Sequence, residues 1–133
     1  LIDLGVEKNL IQAGLTAVLA QRLVRLLCPE CREPYTPNPE FLRKVRIPPE
    51  KVDVFYKAKG CEGCGGTGYK GREGIYELLV LNDAMRELIG RSPSLQELRV
   101  EAKKAGLVTL QEDGLRKVVE GKTSINEVIR VTK

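Results

Sequence analysis

Leu27-Cys28-Pro29-Glu30-Cys31-Arg32 and Gly60-Cys61-Glu62-Gly63-Cys64-Gly65-Gly66-Thr67-Gly68 are the two stretches that decide the fold. Cysteines at i and i+3 in a tight turn aim both sulfurs at one point. Two such knuckles facing each other supply the four-thiolate tetrahedron that zinc prefers. The chain contains no histidine, so a tetrahedral site must use Cys28, Cys31, Cys61 and Cys64, and no cysteine is left as a nucleophile. Glycines at 65, 66 and 68 let the backbone close around the second pair of sulfurs. Disulfides and a redox Cys-x-x-Cys are the competing readings. Paired knuckles separated by a loop, with no secretory signal, favour a structural metal. The spacer of 29 residues is long for a metal ribbon, and the stretch from Cys28 to Cys64 is too short to build a core of its own. Zinc, worth on the order of 10 kcal/mol in small metal modules, is therefore expected to be its main organiser.

Working outward, the composition of 42% hydrophobic and 30% charged residues over 133 positions is that of about one ordinary globular unit. The chain opens on Leu1 and is expected to be part of something longer. The most apolar run, Leu10 to Leu27, is interrupted by Gln12, Gln21, Arg22 and Arg25 and falls short of the ~20 apolar residues of a membrane span. The formal charge of +4 falls once four thiolates and one divalent zinc are included, and aromatic residues make up only 5%. Neither feature supports nucleic-acid binding. Arg32, Lys57, Lys59, Lys70 and Arg72 read better as the cationic surroundings of an anionic zinc–thiolate centre than as a phosphate patch.

Residues 8 to 27 carry apolar side chains on nearly every face and predict a buried helix that stops at Cys28-Pro29. Five prolines between 34 and 49 predict a loop with one short helix near 40 to 45. Lys51 to Lys57 and Gly74 to Leu81 predict strands. From Asn82 onward, Ser94-x-x-Glu97, Thr109-x-x-Glu112 and Ser124-x-x-Glu127 are capping boxes, with Gly90, Gly106 and Gly121 at helix ends. They predict helices near 83–89, 95–105, 110–120 and 125–131, with Leu95, Leu98, Ala102 and Ala105, and Leu115, Val118 and Val119, facing inward. Two phosphate-loop lookalikes fail on context. Gly66-Thr67-Gly68-Tyr69-Lys70-Gly71 follows a metal knuckle and leads into a strand, the reverse of a dinucleotide site. Gly121-Lys122-Thr123 has Arg116 where a phosphate loop needs its first glycine, and a helix precedes it.

The segments Val18 to Arg32, Gly60 to Leu79, Ala84 to Ile89 and Thr109 to Val118 together resemble the C-terminal end of the type II secretion and type IV pilus assembly ATPases, in the branch that carries four cysteines. The resemblance implies an α/β fragment. Residues 1–27 would be the tail of a RecA-like core, 28–71 an inserted zinc subdomain, 72–81 a strand returning to the core, and 82–133 a C-terminal helical subdomain. It also implies a parent that is a cytoplasmic homo-hexamer at the inner face of the bacterial inner membrane. That parent would use ATP and Mg²⁺ to drive pilus assembly or protein secretion through an inner-membrane platform protein. The phosphate loop and Walker B carboxylate of that family lie upstream of the matching segments, so no catalytic or nucleotide-binding residue is assigned here. This chain alone is expected not to hydrolyse ATP. The alternatives are a DnaJ-like chaperone zinc module, which needs more Cys-x-x-Cys-x-Gly-x-Gly copies than the one at Cys61–Gly68, and a zinc-ribbon nucleic-acid binder.

Overall fold

The computed structural model describes residues 1–133. The chain runs through α1 (Lys8–Gly14), β1 (Ala17–Leu27), β2 (Glu33–Tyr35), α2 (Pro39–Lys44), β3 (Phe55–Lys57), β4 (Tyr69–Val80), α3 (Asp83–Gly90), α4 (Leu95–Lys104), α5 (Leu110–Val119) and α6 (Ile125–Thr132). It is a mixed α/β chain whose sheets are small: β1 pairs with β4, and β2 pairs antiparallel with β3 in the register Glu33–Lys57, Pro34–Tyr56, Tyr35–Phe55.

The short-range signals act where the residues place them. Asn38 caps α2 by accepting from the Glu40 N–H, Asn82 caps α3 through Met85 N–H, and Ser94 and Glu97 bond reciprocally at the start of α4. The helix expected over 8–27 is not formed. A seven-residue helix with no buried residue ends at Gly14, and Ala17–Leu27 is an eleven-residue strand. Hydrogen bonds from Leu81 N–H to Thr16 O and from Cys28 N–H to Gly68 O mark the two ends of its pairing with β4. The apolar content of that run serves a strand, because pairing with a partner far away in sequence overrides the helix propensity of its Ala, Leu, Gln and Arg residues. Gly90 lies inside α3 instead of beyond its end. Leu95, Ala105 and Val119, expected to face inward, are exposed.

The chain divides into two compact units. The first comprises Leu1–Ala20 and Tyr76–Thr109, with buried Leu81, Met85 and Ala102. In it α1 is tied to α3 by a reciprocal pair: Gln12 Nε2 donates to Arg86 O, and Arg86 donates to Gln12 O. The second comprises Gln21–Ile75 and Leu110–Lys133, so α5 and α6 belong with the cysteine-bearing segment while α3 and α4 do not. Its core gathers Val24, Leu42, Val52, Phe55, Ile75, Val118 and Val128, flanked by Tyr35 and Ile125. The Tyr35 and Phe55 rings meet edge to face at 6.2 Å. The spacer between the cysteine pairs thus supplies Leu42, Val52 and Phe55 to a shared core; it does not rely on metal alone.

Glu127 is 1% exposed and fastens α6 to β1. Its carboxylate accepts from the Arg25 backbone N–H, from the Arg25 guanidinium at 2.9 Å and from Arg130, so it is not free to complete the capping box expected at Ser124. Ser124 still caps α6 through Glu127 N–H. The Arg25 guanidinium also stacks 4.2 Å over the Tyr69 ring, whose hydroxyl meets Ser124 Oγ at 2.7 Å. Burial by itself raises the Glu127 pKa, but the Arg130 and Arg25 hydrogen bonds outweigh it and hold the group down to about 2. A lowered carboxylate pKa stabilises the fold above the ordinary value of 4.5, and that contribution is lost as pH falls through about 2. Replacing Glu127 by Ala leaves Arg25 and Arg130 without their buried partner. Urea denaturation at neutral pH is expected to show a loss on the order of 1.5–3 kcal/mol, because both arginines remain solvated, and the gap between variant and parent should shrink on acidification below pH 4.5.

Candidate metal centre

Two knuckles converge at the joined ends of β1 and β4. Cys28 follows directly on β1 and Cys31 lies in the turn before β2. Cys61 caps and Cys64 ends a single 3-10 turn, Glu62–Cys64, ahead of β4. The Cys28 N–H to Gly68 O bond, 2.9 Å, holds the knuckles at one end of the β1–β4 pair, and Arg32 N–H donates to Cys28 O to close the first turn. Two glycines are required by the path. At Gly60, with φ of +110°, a Cβ would lie 2.6 Å from Gly66 O. At Gly68, with φ of +81°, it would lie 2.6 Å from the Ala58 Cβ.

This geometry brings the sulfurs of Cys28, Cys31, Cys61 and Cys64 within 4.8 Å of one another. The cysteines are unpaired, and neighbouring sulfurs stand at 3.8 Å (Cys28–Cys61), 3.9 Å (Cys31–Cys64) and 3.7 Å (Cys61–Cys64). A tetrahedron with metal–sulfur bonds of about 2.3 Å has edges of about 3.8 Å, which these three separations match, so the donor set suits a four-thiolate metal ion. Backbone donors surround it: Gly60 N–H reaches Cys31 Sγ at 3.4 Å, and Cys61 N–H and Gly68 N–H each reach Cys64 Sγ at 3.2 Å. Burial opposes the thiolate at Cys64, yet these two N–H groups prevail and pull its pKa down to about 6. At Cys31 burial prevails over the single Gly60 N–H, and the pKa rises to about 11. Such N–H donors are the outer layer that stabilises thiolates around a cation.

Of the cations expected to surround the centre, several do something else. Lys57 and Lys59 pair with Glu33 at 3.9 and 3.4 Å. Arg32 stacks 4.1 Å over the Tyr56 ring and donates to Gly121 O at 2.7 Å, which links the first knuckle to the loop between α5 and α6. Leu27 N–H donates to Lys122 O at 2.8 Å in the same region. Nothing in local sequence spacing announces the bonds to Gly121 and Lys122, because those partners lie some ninety residues away. The Gly66–Gly71 lookalike leaves the 3-10 turn and enters β4, the reverse of the strand, loop and helix order that cradles a pyrophosphate. No helix is long and apolar enough to cross a membrane.

The family model described as "Type II/IV secretion system protein" matches residues 1–130. The chain is 44% identical over 133 residues to the type II secretion system protein E of Pseudomonas aeruginosa, covering 100% of this chain and 26% of that protein. It is 44% identical over 132 residues to the type IV pilus assembly ATPase PilB of Thermus thermophilus, covering 98% of this chain and 15% of that one. The type II secretion system ATPase E of Vibrio cholerae is also 44% identical, over 131 residues, covering 98% and 26%. The chain therefore spans about a quarter or less of these relatives.

The four-sulfur geometry predicts that the thiol-reduced chain takes up one Co²⁺ per molecule with the visible absorption of a tetrahedral thiolate site. Zn²⁺ should displace that ion, and Cys61→Ser should abolish the tetrahedral spectrum. An octahedral spectrum, or uptake unaffected by Cys61→Ser, would contradict the assignment.

Proposed function

The chain belongs to the type II/IV secretion system protein family, and from that premise we propose that it is the zinc-bearing C-terminal portion of an ATPase motor powering type II secretion or type IV pilus assembly. The observation that carries the reading is the continuous similarity over residues 1–130, combined with four cysteines that meet at one point. The metal is zinc and its ligands are Cys28, Cys31, Cys61 and Cys64, because an all-sulfur tetrahedral donor set suits that ion. Four protein ligands leave no position for water, so the ion activates no nucleophile and its role is structural.

The finer parts of the proposal come from the resemblance. In the parent, Leu1–Leu27 and Arg72–Leu81 belong to or rejoin a RecA-like core, 28–71 is the zinc subdomain, and the helices from Asn82 complete the C-terminal part. The parent is a cytoplasmic homo-hexamer that binds ATP and Mg²⁺ through residues outside this chain and works against an inner-membrane platform protein. The cysteine centre keeps its region rigid so that movement of the core is passed on.

In the intact parent, Cys61→Ser is therefore expected to abolish secretion or pilus assembly in cells while the purified protein keeps nucleotide affinity. Any loss of ATP turnover should track loss of hexamer in sedimentation. A stable hexamer that binds ATP normally yet fails in hydrolysis would contradict a purely structural zinc.

A further inference from the structure

The two knuckles meet solvent unequally. Cys28, in the first, is fully buried, and its N–H is tied to Gly68 O where β1 ends. Cys61 and Cys64, in the second, are half-buried, and every residue from Glu62 to Thr67 other than Cys64 is exposed. A small solute in water therefore reaches the second pair of sulfurs.

These two sulfurs stand 3.7 Å apart and belong to one 3-10 turn, so a bond between them asks for movement of that turn alone. Gly65 and Gly66, which follow it at φ of +66° and +80°, have nothing within 4 Å of where a Cβ would stand, and the turn has open space in which to shift. Joining Cys31 to Cys64, at 3.9 Å, would instead draw together two segments anchored on different strands. Two adjacent, solvent-reachable sulfurs held as thiolates are the arrangement that an oxidant converts to a disulfide.

We infer that Cys61 and Cys64 are a peroxide-sensitive modification site, whose oxidation to a disulfide opens the metal centre and loosens the second unit. One of the two thiolates attacks an oxygen of hydrogen peroxide; its sulfur is oxidised to a sulfenic acid, the O–O bond breaks, and the hydroxide released is protonated to water. The neighbouring thiolate then attacks that sulfur, forming the S–S bond and expelling a second hydroxide, which is also protonated. Two thiolates, one peroxide and two protons thus give one disulfide and two waters. Cys28 and Cys31 alone supply only half of a tetrahedral shell, so they cannot retain the ion. The Cys64 sulfur also leaves the Gly68 N–H that it accepts from at 3.2 Å, and Gly68 O is the acceptor that holds Cys28 N–H. The modification reaches the β1–β4 pair through that one residue. It rests on the reading of the four sulfurs as a metal centre and is independent of the motor assignment.

The test uses the zinc-loaded 133-residue chain, its metal content measured first, treated with hydrogen peroxide beside the chromogenic zinc chelator 4-(2-pyridylazo)resorcinol. Peroxide is expected to cause complete loss of the bound zinc to the chelator over a period in which the chelator alone removes little. N-ethylmaleimide added under denaturing conditions should then label Cys28 and Cys31 only, and peptide mass spectrometry should find Cys61 joined to Cys64. Dithiothreitol followed by zinc should restore both the metal content and the hydrogen-exchange protection of β1 and β4. A chain that takes up no zinc would overturn the metal reading and this proposal with it. A chain that loads zinc and then keeps it in peroxide, forms its disulfide through Cys28 or Cys31, is carried to sulfinic or sulfonic acid instead, or fails to reload after reduction would overturn this proposal alone.

Discussion

Four sulfurs brought within 4.8 Å of one another constrain this chain more than any other contact. Two of them follow the end of β1 and two precede the start of β4, so closing the tetrahedron also fixes where the β1–β4 pair begins. The hydrogen bond from Cys28 N–H to Gly68 O lies beside that closure. Arg32, stacked on Tyr56, directly follows the first knuckle, and Arg25, stacked on Tyr69, lies on β1 just before it. These two arginines reach the α5–α6 loop and the buried Glu127 respectively, and carry the constraint into the last two helices.

Magnitudes decide how far the constraint extends. A four-thiolate zinc contributes on the order of 10 kcal/mol to the folding of small modules, comparable with the whole stability of an ordinary domain at about 5–15 kcal/mol. The second unit does have an apolar core, with Phe55, Leu42, Val24 and Ile75 almost fully buried, but that core is assembled from β1, the spacer, β4, α5 and α6 together. No part of it is complete without the others. The spacer, whose own elements are three- and six-residue pieces, holds its place only if both its ends are held.

What could be read in the sequence was what depends on neighbours along the chain. The cysteine spacing, the Asn38–Lys44 turn of helix and the starts of α4 and α6 at Ser94 and Ser124 follow from chemistry within four residues. β1 could not be read, because Ala17–Leu27 becomes a strand only through pairing with residues some fifty positions later. The allotment of α5 and α6 to the cysteine-bearing unit was hidden for the same reason. Glu127 shows the conflict at a single residue. Its spacing from Ser124 says capping box, but Arg25, 102 residues earlier, takes the carboxylate. The end of α2 carries no sequence signal either: Arg46 takes the left-handed position there, at φ of +62°, where a glycine would normally announce it.

The central claim is that the sulfur-bound metal, the spacer and the last two helices form one cooperative body. Hydrogen exchange of the zinc-loaded chain, compared with the same chain after chelation under reducing conditions, tests it directly. The account predicts that amides of β2, β3, α5 and α6 lose protection together when the metal is removed, while α3 and α4 keep theirs. Retained protection in α5 and α6 beside an unprotected spacer would contradict it.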